Sequence, residues 1–202
     1  MVSRLCAMAI ACLSLCGWGG GWAKAAEAAG DEPLKLLFLG DKGHHRPADR
    51  AAQLIPVMAQ RGIAVRYSDD MHELALDNLR KYDGLILYAN TTEISPAQES
   101  ALLEYVAGGG GFVPLHCASY CFLNSPAYID LVGAQFSKHG GEVFATEIVQ
   151  PNHPIMQGFG GFQSWDETYI HTKHNERNRT VLEVRKQGGQ ADGRGRQPRG
   201  DL

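Results

Sequence analysis

Residues 108–121 read GGGGFVPLHCASYC, an apolar run that delivers a histidine and a cysteine to the point where it ends. An imidazole in that place can serve as general base, general acid or metal ligand, because its proton affinity lies near neutrality. Two small residues follow closely, Ala118 and Ser119, so the ring of His116 has room to face a crevice. The thiol of Cys117 has its own reading, as a nucleophile presented on a tight strand-to-helix turn. Against that, the glycines that flank the nucleophile of a G-x-S/C-x-G elbow are missing from Leu115-His116-Cys117-Ala118-Ser119. His116 is the stronger candidate and Cys117 reads as a small buried neighbour.

Two further segments carry reactive groups. QFSKHGG (135–141) sets His139 ahead of two glycines, which predicts a tight loop whose backbone approaches a ligand closely. SWDETYIHTKH (164–174) gathers Asp166, Glu167, Tyr169, His171 and His174. On an extended strand Glu167, Tyr169 and His171 share one face, since side chains alternate; whether that face meets a ligand or only water stays open. A carboxylate beside histidines orients an imidazole, acts as a base, or completes a divalent-metal site. No H-E-x-x-H and no paired C-x-x-C occurs, so a divalent metal is permitted but not indicated, and no cofactor is assigned. GDKGHHR (40–46) adds His44 and His45, whereas His72, beside two aspartates, reads as incidental.

The elements that must position these groups are legible as apolar runs. LKLLFLG (34–40), GIAVRY (62–67), DGLILYAN (83–90) and GGFVPLH (110–116) are apolar on both faces, as strands covered on both sides by helices are. Ala48 to Gln60 has helical spacing and is closed by Gly62. Ser95, Pro96 and Gln98 form the start of a second helix, with a capping box and proline at the first position. The order predicts an α/β domain with a doubly wound, mostly parallel sheet and helices on both faces. Ligands of such sheets sit beyond the carboxyl ends of the strands. GDKGHHR, ANTTE, HCASYC and, further on, HPIMQG are the segments placed there.

At 202 residues, 44% hydrophobic and 20% charged, the chain is sized for one cored domain. A formal charge of −3 gives no reason to expect nucleic acid as a partner. Residues 1–25 combine Arg4, the apolar LCAMAIACLSLCGW and a small-residue AKA, the pattern of an export signal, so the protein is expected in the periplasm or outside the cell. The apolar stretch is short for a bilayer, which takes about 20 apolar residues, and no stable membrane span is expected. Cys12 and Cys16 lack the leucine and small residues of a lipidation site, so a lipid anchor is not expected. Export leaves Cys117 and Cys121, four apart, where a local disulfide is allowed but not favoured. The last segment, 185–202, holds five glycines and four arginines and cannot help bury a core; it reads as a disordered or aberrant tail.

GHHRPADR, GGGGFVPLHCAS, LVGAQFSKHGGEVF and NHPIMQGFGGFQSWDETYIHTKHN, in that order, resemble the ThuA-like family, associated with trehalose utilisation, over residues 34–184. The resemblance implies a class I glutamine amidotransferase-like, flavodoxin-like sheet from which the amidotransferase triad has been lost. A histidine in the G-x-V-x-L-H stretch, here His116, is then the residue of interest. It implies a pocket lined by His116, His44, His139, Asp166 and Glu167; with the strand face that carries Tyr169 and His171, the expected site has His116, His139 and Glu167 acting on a substrate and His44, Asp166, Tyr169 and His171 binding it. Family members continue after TVLEVR with a strand and a GH motif near a tryptophan, so the fold is expected to lack its C-terminal part. The expected function is that of an exported domain acting on or binding a carbohydrate or sugar derivative, with a small sugar or glycoside as partner. A non-catalytic sugar-binding or scaffold module, or a cysteine-dependent amidotransferase-like hydrolase, are the alternatives.

Overall fold

The computed structural model describes residues 32–177 and 179–186. The expected export segment 1–25 and residues 187–202 lie outside the described residues. The elements are β1 (Leu34–Gly40), α1 (Pro47–Ala59), β2 (Ile63–Ser68), α2 (Leu76–Leu79), β3 (Gly84–Tyr88), α3 (Pro96–Ala107) and β4 (Gly111–Pro114). A 3-10 turn over His116–Tyr120 leads to α4 (Pro126–Val132), β5 (Gln135–Ile148), β6 (Gln163–Thr172) and β7 (Glu183–Arg185).

The first four strands form a parallel sheet in the order β2-β1-β3-β4, as the four apolar runs predict. Alternation along each strand divides the core in two. Leu37, Leu39, Leu85 and Leu87 pack with residues of α2, α3 and α4, including Leu79, Leu102 and Tyr128. Phe38 and Ile86 point the other way, against Ala51, Leu54 and Ile55 of α1. The sheet is thus covered from both faces, and burial of this apolar surface is the main favourable term in its folding. Pro114 is accommodated because β4 lies at the sheet edge, where the missing N–H faces away from the ladder. α3 begins as expected: Ser95 Oγ accepts from Gln98 N while Gln98 Oε1 accepts from Ser95 N.

A second sheet, antiparallel and ordered β6-β5-β7, follows the parallel one. This corrects the expectation of a tight loop at QFSKHGG, for His139, Gly140 and Gly141 all lie within β5. Gly140 stands opposite Thr168 and Gly141 opposite Glu167. A Cβ at Gly140 would come within 3.0 Å of Thr168 Oγ1, and one at Gly141 within 3.2 Å of the Trp165 ring. The two glycines therefore serve close cross-strand packing, not a turn. Among the described residues no helix is long and apolar enough to cross a membrane.

Arg66 of β2 ties down the turn that precedes α2, with one guanidinium nitrogen 2.7 Å from Glu73 Oε1 and another donating to Tyr82 Oη at 3.0 Å. The Arg66 hydrogen bond holds the Glu73 carboxyl below its ordinary value. A carboxyl so depressed contributes stability above its unfolded pKa of about 4.3 and loses it as pH falls through the lower folded value. Arg66→Gln is expected to lower Tm at pH 7, by an amount that shrinks as pH falls below about 4 toward the part owed to the Tyr82 bond. Thermal melts of both proteins between pH 3 and 7 measure this, and a pH-independent difference would contradict it.

Candidate functional site

Past Pro114 the chain makes one more sheet contact, Leu115 N to Leu87 O, and then turns sharply. His116 takes a left-handed backbone with φ 46°, a conformation that non-glycine residues seldom adopt. The turn is fixed from beneath by buried bonds. Tyr128 Oη donates to Ala118 O at 2.8 Å and Cys121 Sγ to Ala89 O at 2.8 Å, while Ser119 Oγ donates to His116 O at 3.1 Å. His116 thus occupies the strained strand-to-turn position where an elbow presents its reactive side chain, and Cys117 points into the core, 1% exposed.

What His116 meets comes from β6. Glu167 Oε2 lies 3.2 Å from His116 Nε2, and Tyr169 Oη lies 3.1 Å from the same nitrogen with the two rings stacked at 4.3 Å. The other carboxylate oxygen, Oε1, is 3.8 Å from His139 Nε2 on β5. His139 and Tyr169 face one another across the β5–β6 ladder, which is why both reach the same carboxylate. The Nδ1 of His139 is 3.0 Å from Gly140 O, a carbonyl that can only accept, so Nδ1 carries the proton. Its Nε2 then accepts in the neutral ring and donates in the cation. Burial, reinforced by Glu167, raises the phenol of Tyr169 well above its ordinary value, which keeps it a hydrogen-bond donor.

The loop after β1 closes the cluster from the side. Asp41 locks it by accepting from Gly43 N at 2.7 Å and from Asn90 N, after β3, at 2.5 Å. His45, following this turn, sets its ring edge-on to His116 with centroids 4.9 Å apart. Burial, and then the neighbouring His44 and His116, lowers the affinity of His45 for a proton. One ligand atom from each of His45, His116 and Glu167 lies within 4.8 Å of the others, close enough for all three to face one ion.

Of the residues named from sequence, the structure brings His116, His139, Glu167 and Tyr169 together. His171 joins by a second route, its Nε2 3.1 Å from Ser119 Oγ. Because that hydroxyl donates to His116 O, His171 is the donor of the pair. Burial first, then His174 and Arg185, lowers its pKa. Asp166 is exposed on the opposite face of β6 and accepts from Glu167 N at 2.7 Å, so it borders the cluster without entering it. His44 is exposed and stacks on His45 at 4.1 Å, while His45 makes the contact with His116. His153 only caps a short turn, its Nδ1 accepting from Ile155 N at 3.3 Å.

Two features have no clear signature in the sequence. Trp165, half exposed, precedes Glu167 by two residues and shares its strand face. An apolar cleft of about 500 Å³ opens on the far side of His116, between α1 and the sheet, lined by Phe38, Leu54, Val57, Tyr88 and Leu115 with Arg50 as its charged group.

The sequence model of the ThuA family, described as trehalose utilisation, matches residues 35–198, and the chain belongs to that family. A protein described as ThuA-like from Bacteroides uniformis superposes with a TM-score of 0.64 at 20% identity, over 83% of this chain and 71% of that one. A second, from Parabacteroides merdae, gives 0.66 at 18% identity, over 76% and 68%. These likenesses bear on the fold alone. A search of curated proteins found no match.

Both cysteines of the described residues are free thiols, and no local disulfide forms. Burial pushes the Cys117 thiol up to about 12 and raises that of Cys121 further. Neither is a ready nucleophile. Peptide mapping after iodoacetamide treatment of the native protein is expected to find both unmodified, with full labelling after denaturation. Rapid native labelling of Cys117 would restore it as a nucleophile.

Proposed function

We propose that this protein is an exported enzyme that binds a glycoside or related sugar derivative and moves protons at its hydroxyl or carbonyl groups. The observation that carries the reading is the position of Glu167, one carboxylate oxygen facing His116 and the other facing His139, beside a phenol that stays protonated. Such a set offers an acceptor, a relay and a donor within one small volume, which is what acid–base chemistry on a polyol needs. The sugar class draws on the family's description, trehalose utilisation. It is also supported by Trp165, an exposed aromatic face beside the carboxylate on which a sugar ring can lie. The apolar cleft against His116 favours a substrate that carries a hydrophobic group over a free monosaccharide. Residues 1–25 supply the export signal in this reading.

A sugar-binding module would use the same contacts without turnover, and the two are separated by measurement. Melts of the full chain with glucose, alkyl and aryl glucosides and keto-glucosides should show a rise of roughly 5–10 °C for the preferred ligand at about 100 times its Kd. Glu167→Gln should then lower turnover of that ligand by about 10²- to 10⁴-fold while the fold persists. No shift with any sugar would overturn the substrate class. A shift without turnover would make the protein a binder.

A further inference from the structure

We infer that His45, His116 and Glu167 together hold one divalent transition-metal ion, for which zinc is the best match. The three side chains arrive from three separate segments: the loop after β1, the turn after β4, and β6. None is required there by the core, since all three are only partly buried. Donors around a tetrahedral ion at about 2.0–2.2 Å lie roughly 3.3 Å from one another. The 3.2 Å between His116 Nε2 and Glu167 Oε2 already has that spacing. The His45 donor lies within 4.8 Å of both, and its ring is carried by a loop, where side-chain rotation closes the remaining distance.

The carboxylate supplies an independent reason. Glu167 Oε2 is shut off from solvent and, with the Tyr169 hydroxyl lying against His116 Nε2, no donor among the described residues meets it with full hydrogen-bond geometry. A buried oxygen of an ionised carboxylate left in that state is costly, and a cation placed between it and the imidazoles removes the cost. Two imidazole nitrogens with one carboxylate oxygen are a borderline donor set, suited to zinc and its first-row neighbours and poorly suited to magnesium or calcium, which take oxygen donors. Three protein ligands leave a fourth position free for water or a sugar oxygen. Tyr169 Oη, 3.1 Å from His116 Nε2, and His139, 3.8 Å from the far oxygen of Glu167, border the ion without being needed to hold it.

Metal binding is read on the protein alone, so its outcome is separate from that of the sugar panel. The full chain, stripped with a chelator, is titrated with Zn²⁺ by calorimetry and with Co²⁺ by visible absorption. One equivalent is expected to bind, with the d–d bands of a four- or five-coordinate nitrogen and oxygen site. His45→Ala and Glu167→Gln should each weaken binding at least 100-fold. His116→Asn should do the same while keeping a residue tolerant of the left-handed backbone. His72→Ala, which removes a surface histidine paired with Asp70, should bind as wild type does. Far-ultraviolet circular dichroism confirms that each variant is folded. Absence of binding by the wild type, equal binding by folded His45→Ala and Glu167→Gln, or an intense cobalt–thiolate band that places the ion on cysteine would overturn the inference.

Discussion

The left-handed backbone at His116 is the constraint on which the site depends. Strand β4 lies at the edge of its sheet, and an ordinary extended residue after Leu115 would carry the chain onward along the strand direction. The turn at φ 46° instead opens a 3-10 turn over His116–Tyr120. The imidazole stays partly exposed and the thiol of Cys117 is buried. Holding a histidine in this conformation costs of order 1–3 kcal/mol. The buried Tyr128 and Cys121 bonds beneath the turn hold it in place. The same geometry buries Cys117 beside a histidine that faces the second sheet.

A histidine so presented does nothing until the second sheet meets it. β5 and β6 form a long antiparallel ladder whose pairing places His139 beside Tyr169 and leaves only a glycine opposite Glu167. The carboxylate therefore reaches past its own strand toward both histidines. Asp41 contributes at a distance, since its two oxygens fix the loops after β1 and β3 and so set where His45 lies. The parallel sheet supplies His45 and His116, and the antiparallel one supplies Glu167, Tyr169, His139 and His171.

The parallel half of the fold is legible in the chain because strands buried on both faces leave continuous apolar runs, and because the capping box of α3 is a local device. The antiparallel half is less so. QFSKHGGEVFATEI is exposed throughout Ser137–Glu142 and carries two glycines, which reads equally as a turn; only the cross-strand neighbours Thr168 and Trp165 reveal why glycine stands there. At the site, the shared face of Glu167, Tyr169 and His171 follows from strand periodicity alone. The choice between His44 and His45 does not, because a loop has no period. It is decided by the Asp41 turn before them and the left-handed Arg46 after them.

The most direct test of this account is where an ion or ligand goes. Crystals of the full chain soaked in zinc and measured at the zinc absorption edge are predicted to show one strong anomalous peak bounded by His45, His116 and Glu167, with Tyr169 beside it. A strong peak elsewhere, with this cluster empty at full occupancy of the other position, would contradict the claim that the turn after β4 and the face of β6 form one functional site.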